Sequence, residues 1–183
     1  YAEIAKRGKS LDWSRIIVTF SDERCVGPEH PDSNFGMAKR SLFDRIEIPP
    51  ENIYRIRGED PPESAAASYE KKLRLLADAA HVKVLSHDLL LLGVGEDGHT
   101  ASLFPGTAAL SERNRLVVPN FVPKQNSWRI TFTYPLINDS RHICFLVNHK
   151  KKQSMIDKIL KGDRSYPASH VTASESVAWL LGF

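Results

Sequence analysis

Short apolar, β-branched runs occur along the chain at Arg15–Phe20, Asp88–Val94, Leu116–Val118, Arg129–Thr133, His142–Val147 and His170–Thr172, and their length and composition predict strands. Between them the apolar spacing changes to that of a helix. Phe35, Ala38, Leu42 and Ile46 fall on one face, and Ala66, Tyr69, Leu73, Leu76 and Ala80 fall on another. Asp60 followed by Pro61 and Glu63 has the ingredients of a helix start, and Gly162 suits the end of a helix over Lys150–Lys161. The run Asp88-Leu-Leu-Leu-Leu-Gly-Val94 is apolar on both sides of the pleat, as expected where helices cover both faces of a parallel sheet. Alternating strands and helices of this kind predict an α/β fold of three layers, a largely parallel sheet with helices on both faces.

No repeat, low-complexity tract or Gly/Ser linker divides the 183 residues, so residues 1–183 are read as one domain. No apolar run approaches the roughly 20 residues that span a bilayer, which argues against a membrane partner. The net charge of +3 arises from 25 basic and 22 acidic residues that are interleaved, so nucleic acid is not implied either. Cys25 and Cys144 are too few for a disulfide scaffold, and the expected setting is reducing and cytoplasmic. The seven histidines show no metal-ligand spacing, so neither a metal nor a cofactor is expected.

The chemistry concentrates after two strand ends. Leu92-Gly-Val-Gly-Glu-Asp-Gly-His-Thr-Ala-Ser-Leu-Phe-Pro-Gly106 runs from a buried strand into a glycine-rich loop, the place where open α/β sheets bind ligands. Asp97 and His99 bring a carboxylate and an imidazole together there, a candidate acid–base pair. Gly93, Gly95 and Gly98 also match G-x-G-x-x-G. A dinucleotide turn should open a long helix, however, and Pro105 and Gly106 interrupt, while no acidic residue follows at the end of a second strand. A second polar cluster, Ser21-Asp-Glu-Arg-Cys-Val26 continuing to Asn34, follows the first strand. Taken alone, Asp-Glu-Arg reads as a solvated loop; its position places Asp22, Arg24, Ser33 and Asn34 at the same crevice, where Arg suits phosphate.

Asp22-Glu-Arg-Cys25, His30-Pro-Asp-Ser-Asn34, the stretch Gly93–Gly106 and Arg129-Ile-Thr-Phe-Thr133 together resemble the 6-phosphogluconolactonases over nearly the whole chain. The resemblance implies the fold shared with glucosamine-6-phosphate deaminases and ribose-5-phosphate isomerases. It also implies hydrolysis of a phosphorylated sugar lactone. The deaminases share Asp-Gly-His but typically continue Ile-Ala-Phe-Asn-Glu-Pro, where this chain has Thr100-Ala-Ser-Leu-Phe-Pro105. A binding module for sugar phosphates without catalysis is the reading from another class.

Opening an ester ring needs a nucleophile, a home for the oxyanion and a proton for the leaving oxygen. No G-x-S-x-G elbow occurs, so water activated by a base is expected, with His99 as that base. Asp97 is expected to orient the imidazole, Asp22 to position water or sugar hydroxyls, and backbone N–H groups of the Gly95–Gly98 loop to receive the oxyanion. The resemblance nominates Arg24, Arg129 and Lys152 for the phosphate. His149 stands at the glycine of the family's Gly-x-x-Lys stretch, and Lys150–Lys152 reads equally as a solvated first helical turn. The family's first strand and Gly-Gly turn have no counterpart before Trp13. The chain is therefore expected to be a fragment lacking that segment, and Val177–Phe183 is expected to stop short.

Overall fold

The computed structural model describes residues 1–148 and 150–182. In chain order the elements are α1 (Ala2–Arg7), β1 (Val18–Thr19), β2 (Asp22–Arg24), α2 (Asn34–Ser41), β3 (Ile53–Tyr54), α3 (Pro62–Ala79), β4 (Leu89–Leu92), β5 (Val117–Val122), β6 (Ser127–Phe132), α4 (Tyr134–Asn138), β7 (His142–Val147), α5 (Gln153–Leu160) and β8 (Ser176–Leu181). The strands form three groups. β1 and β3 pair in parallel; β4, β7 and β8 form a parallel sheet in that order; β2, β6 and β5 form an antiparallel sheet in that order. Parallel pairing with helices between the strands is the α/β fold expected, with an antiparallel sheet added beside it.

The core gathers Leu90 and Leu92 of β4, Ile143, Phe145 and Val147 of β7, Leu73 and Tyr69 of α3 and Ile156 of α5. Each such side chain, fully buried, contributes about 1.5–3 kcal/mol. Tyr69 also ties layers together through its hydroxyl, which donates to the Tyr54 carbonyl at 2.9 Å and accepts the Phe20 N–H at 2.8 Å. That buried phenol is held well above its ordinary titration range, chiefly by burial. Glu70 does the same for β5, its carboxylate accepting the N–H groups of Leu116 and Val117.

Several elements differ from the pattern. The Arg15–Phe20 run pairs only at Val18–Thr19, because Asp12 accepts the Ser14 N–H and sets a 3-10 turn over Trp13–Arg15. The His170–Thr172 run forms no strand: Pro167–His170 is a 3-10 turn, with Ser169 bonded to the Tyr166 carbonyl and His170 to the Arg164 carbonyl. Asp60 does not cap α3; it pairs with Arg57 at 2.9 Å, and the helix starts directly after Pro61. Leu89–Leu92 is buried through Leu90 and Leu92 only, while Leu89 is 58% exposed. β2 and β8 were not expected as strands. β2 is too polar to read as one, and β5 continues through Pro119, which an edge strand tolerates because no ladder donor is lost there. Gly162, with φ of 96°, closes the turn after α5 as expected.

Candidate active site

The loop leaving β4 folds back on itself. Gly95 donates its N–H to the His99 carbonyl at 2.8 Å and Gly98 donates to the Gly95 carbonyl at 3.1 Å, while the Thr100 hydroxyl ties the loop to the Gly93 carbonyl. This places the His99 ring directly above Gly95, where a Cβ would lie 2.1 Å from the imidazole. Only glycine fits that position. Gly98 has φ of 77° and sits under the Tyr166 ring, which leaves no room for a side chain.

Within that frame His99 Nδ1 lies 2.5 Å from Asp97 Oδ1, and the same oxygen accepts the His99 N–H at 3.2 Å. A carboxylate only accepts, so the imidazole carries a hydrogen on Nδ1 in this contact, and in the neutral ring that tautomer leaves the lone pair on Nε2. Burial pushes the Asp97 carboxyl up, but the hydrogen bonds and charge of His99 outweigh it, and the carboxyl is held below its usual range. Phe104 stacks on the imidazole with ring centres 3.9 Å apart and fixes its plane. Within the Gly95–Gly98 loop, whose N–H groups were expected to receive the oxyanion, those of Gly95 and Gly98 are spent on the His99 and Gly95 carbonyls.

β2 supplies the opposite wall. Asp22 accepts from Asn34 Nδ2 at 3.0 Å and from Ser102 Oγ at 2.7 Å, so one residue of the His99 loop is bonded to the Asp22 carboxylate. Tyr1 lies near enough for the Asp22 charge, after burial, to help raise its phenol. Glu23 points the other way into the interior. Its carboxylate accepts the N–H groups of Arg24, Asn34 and Phe35 and the Ser33 hydroxyl, and thereby seats the start of α2. Ser33 is the cap of that helix, accepting from Gly36 N–H at 3.0 Å. The hydroxyl of Ser33, expected at the ligand, is buried and engaged on both sides. Asn34 turns its amide toward Asp22 instead.

Arg24 and Arg129 are register partners across the β2–β6 pair. Arg24 Nη1 donates to the Asp32 carbonyl at 2.5 Å, and Arg129 Nη2 donates to Gln125. Burial first, and then the charge of Arg24, hold the Arg129 guanidinium below its usual range, with Asp22 opposing. Two like charges directly opposed on neighbouring strands repel, and an anion placed between them removes that cost. Lys152 is half-buried immediately before α5, beyond the C-terminal end of β7, and so on the same sheet edge as the His99 loop. Among the described residues it makes no ion pair with Asp22 or Asp97. His149 lies outside the described residues. A separate cavity of about 550 Å³, lined by Pro105, Arg113, Tyr134 and His170 among others, contains none of Asp22, Arg24, Asp97, His99 or Arg129. Among the described residues no three His, Cys, Asp or Glu side chains come together as a metal site, and no helix is long and apolar enough to cross a membrane.

An α/β scaffold carrying a carboxylate-bonded imidazole just after a parallel strand, and two guanidinium groups paired across neighbouring strands, has the parts that acid–base enzymes acting on small phosphorylated molecules use. The sequence profile of the glucosamine-6-phosphate isomerases/6-phosphogluconolactonase family matches residues 1–179, and the chain belongs to that family. It is 39% identical to a 6-phosphogluconolactonase of Nostoc over 177 residues, covering 94% of this chain and 73% of that protein. To the human 6-phosphogluconolactonase it is 37% identical over 155 residues, 84% of this chain and 59% of the other. The crystal structure of the 6-phosphogluconolactonase from Thermotoga maritima superposes with a TM-score of 0.87 at 31% identity, covering all of this chain and 79% of that one. A monomeric glucosamine-6-phosphate deaminase, 21% identical with a TM-score of 0.76, shares the fold.

Proposed function

We propose that this chain hydrolyses 6-phospho-D-glucono-1,5-lactone to 6-phospho-D-gluconate, a step of the pentose phosphate pathway, by direct attack of water. The observation that carries the reading is the His99–Asp97 pair, on the loop whose Ser102 bonds to the Asp22 carboxylate. Water adds to the C1 carbonyl while His99 Nε2 takes its proton. The tetrahedral intermediate then breaks its bond from C1 to the ring oxygen, and His99 returns the proton to that oxygen. Asp97 holds the imidazole and stabilises its charged form between the two transfers. Asp22 positions the water or a sugar hydroxyl, with the Asn34 amide beside it. Arg24 and Arg129 grip the phosphate, and Lys152 at the neighbouring loop end adds a third cation. The free thiols Cys25 and Cys144 support a cytoplasmic setting.

The names of the relatives support the lactone as substrate. The residues after His99 support it as well, because Thr100–Pro105 lacks the Glu the deaminases carry. The test is 6-phosphogluconate formation from the lactone, measured against spontaneous ring opening, with ammonia release from glucosamine-6-phosphate in parallel. Lactone turnover well above background without ammonia is expected. Ring opening at the uncatalysed rate contradicts the proposal, and ammonia release transfers the chain to the deaminases.

A further inference from the structure

We infer that Ser102 is a positioning residue for the reaction, acting through Asp22; the inference rests on the reading of Asp22 given above. Ser102 is almost fully buried, and each of its polar groups is bound to a different strand of the antiparallel sheet. Its N–H donates to Thr131 Oγ1 of β6 at 3.1 Å, its carbonyl accepts from Asn120 Nδ2 of β5 at 2.8 Å, and its hydroxyl donates to Asp22 Oδ2 of β2 at 2.7 Å. Asn120 is itself fixed by Thr107 and by the Ala109 N–H. The preceding residue, Ala101, has φ of 47°, a conformation unfavourable for an alanine and set where the chain turns Ser102 inward.

This arrangement is the joint between the two halves of the crevice. His99 belongs to the loop after β4, whereas Asp22 and Arg24 belong to β2. Ser102 is three residues from His99 and touches Asp22 directly. A buried serine can satisfy its hydroxyl on a local carbonyl, as Ser169 does with Tyr166. Ser102 instead spends it on a carboxylate at the rim of the crevice. Its bond and that of Asn34 hold the two Asp22 oxygens from opposite sides, so the carboxylate keeps one orientation toward the reacting centre. Loss of the Ser102 bond leaves Asp22 in place but held by Asn34 alone, so its orientation is less fixed, which affects the chemical step more than substrate binding.

The experiment is a double-mutant cycle on lactone hydrolysis with Ser102→Ala, Asp22→Ala and the pair, together with melting temperature and 6-phosphogluconate affinity for each. Ser102→Ala is expected to lower kcat about tenfold, the scale of one hydrogen bond to a charged group, with KM within twofold. In the Asp22→Ala background the same change is expected to alter kcat less than twofold. An equal loss in both backgrounds overturns the inference while leaving Asp22 in its role. Parent-like turnover of Asp22→Ala overturns the reading of Asp22, and the inference falls with it. If Ser102→Ala does not fold, Ser102→Cys keeps the volume with a weaker donor and carries the same comparison.

Discussion

At the scale of single residues, the proposed reaction needs groups that bind and groups that transfer protons. Arg129 belongs to the first. Its guanidinium faces that of Arg24 across the β2–β6 register, a repulsive pair without a bridging anion. Arg129→Ala is therefore expected to raise KM for the lactone at least tenfold with kcat changed only a few-fold. Without ligand it is expected to leave stability unchanged or raised by about 0.5 kcal/mol. Steady-state kinetics and denaturant melts check both, and a fall in kcat at unchanged KM contradicts the assignment. The residues of the crevice were largely visible in the sequence, since Asp22, Arg24, Asp97, His99 and Arg129 sit in short motifs. Ser102 and Phe104 belong to the same motif and were passed over. A serine reads as loop polarity and a phenylalanine as core until coordinates show which group each one touches. The internal bonds of Gly95, Gly98 and Ser33 were not legible for a related reason, because the direction of an N–H or hydroxyl is a property of the backbone path.

At the scale of elements, the start of α2 shows how the fold holds the site. Glu23 alternates inward from Asp22 and Arg24 along β2, so the same three residues put two groups at the crevice and one carboxylate beneath it. That carboxylate receives three backbone N–H groups and the Ser33 hydroxyl. Glu23→Ala leaves those donors buried without an acceptor and is expected to destabilise the protein by about 3 kcal/mol. Denaturant unfolding measures this, and a loss below about 1 kcal/mol would mean that the donors find other partners. β2 is three polar residues and was legible only as a loop. Its pairing with Ile130 and its neighbours on β6 is what makes it a strand. Helix faces with 3.6-residue spacing, by contrast, were read directly: Tyr69 and Leu73 are buried on α3. Strand limits failed where local side-chain bonds set 3-10 turns in competition with the ladder, as at Asp12 and Ser169.

At the scale of the whole molecule, His87 joins β1 to the segment entering β4, its Nε2 lying 2.9 Å from the Thr19 hydroxyl and its ring against Phe132. Its Nδ1 is buried without a hydrogen-bond partner among the described residues, and burial pushes its pKa down to about 4, with Asp88 opposing. The folded state thus prefers the neutral ring, whereas the unfolded chain protonates near its ordinary value of about 6.5. Stability from this group is complete above pH 6.5 and declines as pH falls toward 4, by about 2–3 kcal/mol in all. Unfolding at pH 7.5 and 4.5 is expected to show that loss, and His87→Gln is expected to flatten it; an unchanged slope in the variant assigns the pH dependence elsewhere. The central claim, however, is that one imidazole moves the proton. The kcat of His99→Ala for 6-phosphogluconolactone, corrected for spontaneous opening, tests it directly, with 6-phosphogluconate binding as the control for an intact crevice. A fall of about 10²–10⁴-fold with affinity retained is the predicted result; a variant that binds the product and turns over within a few-fold of the parent contradicts the account.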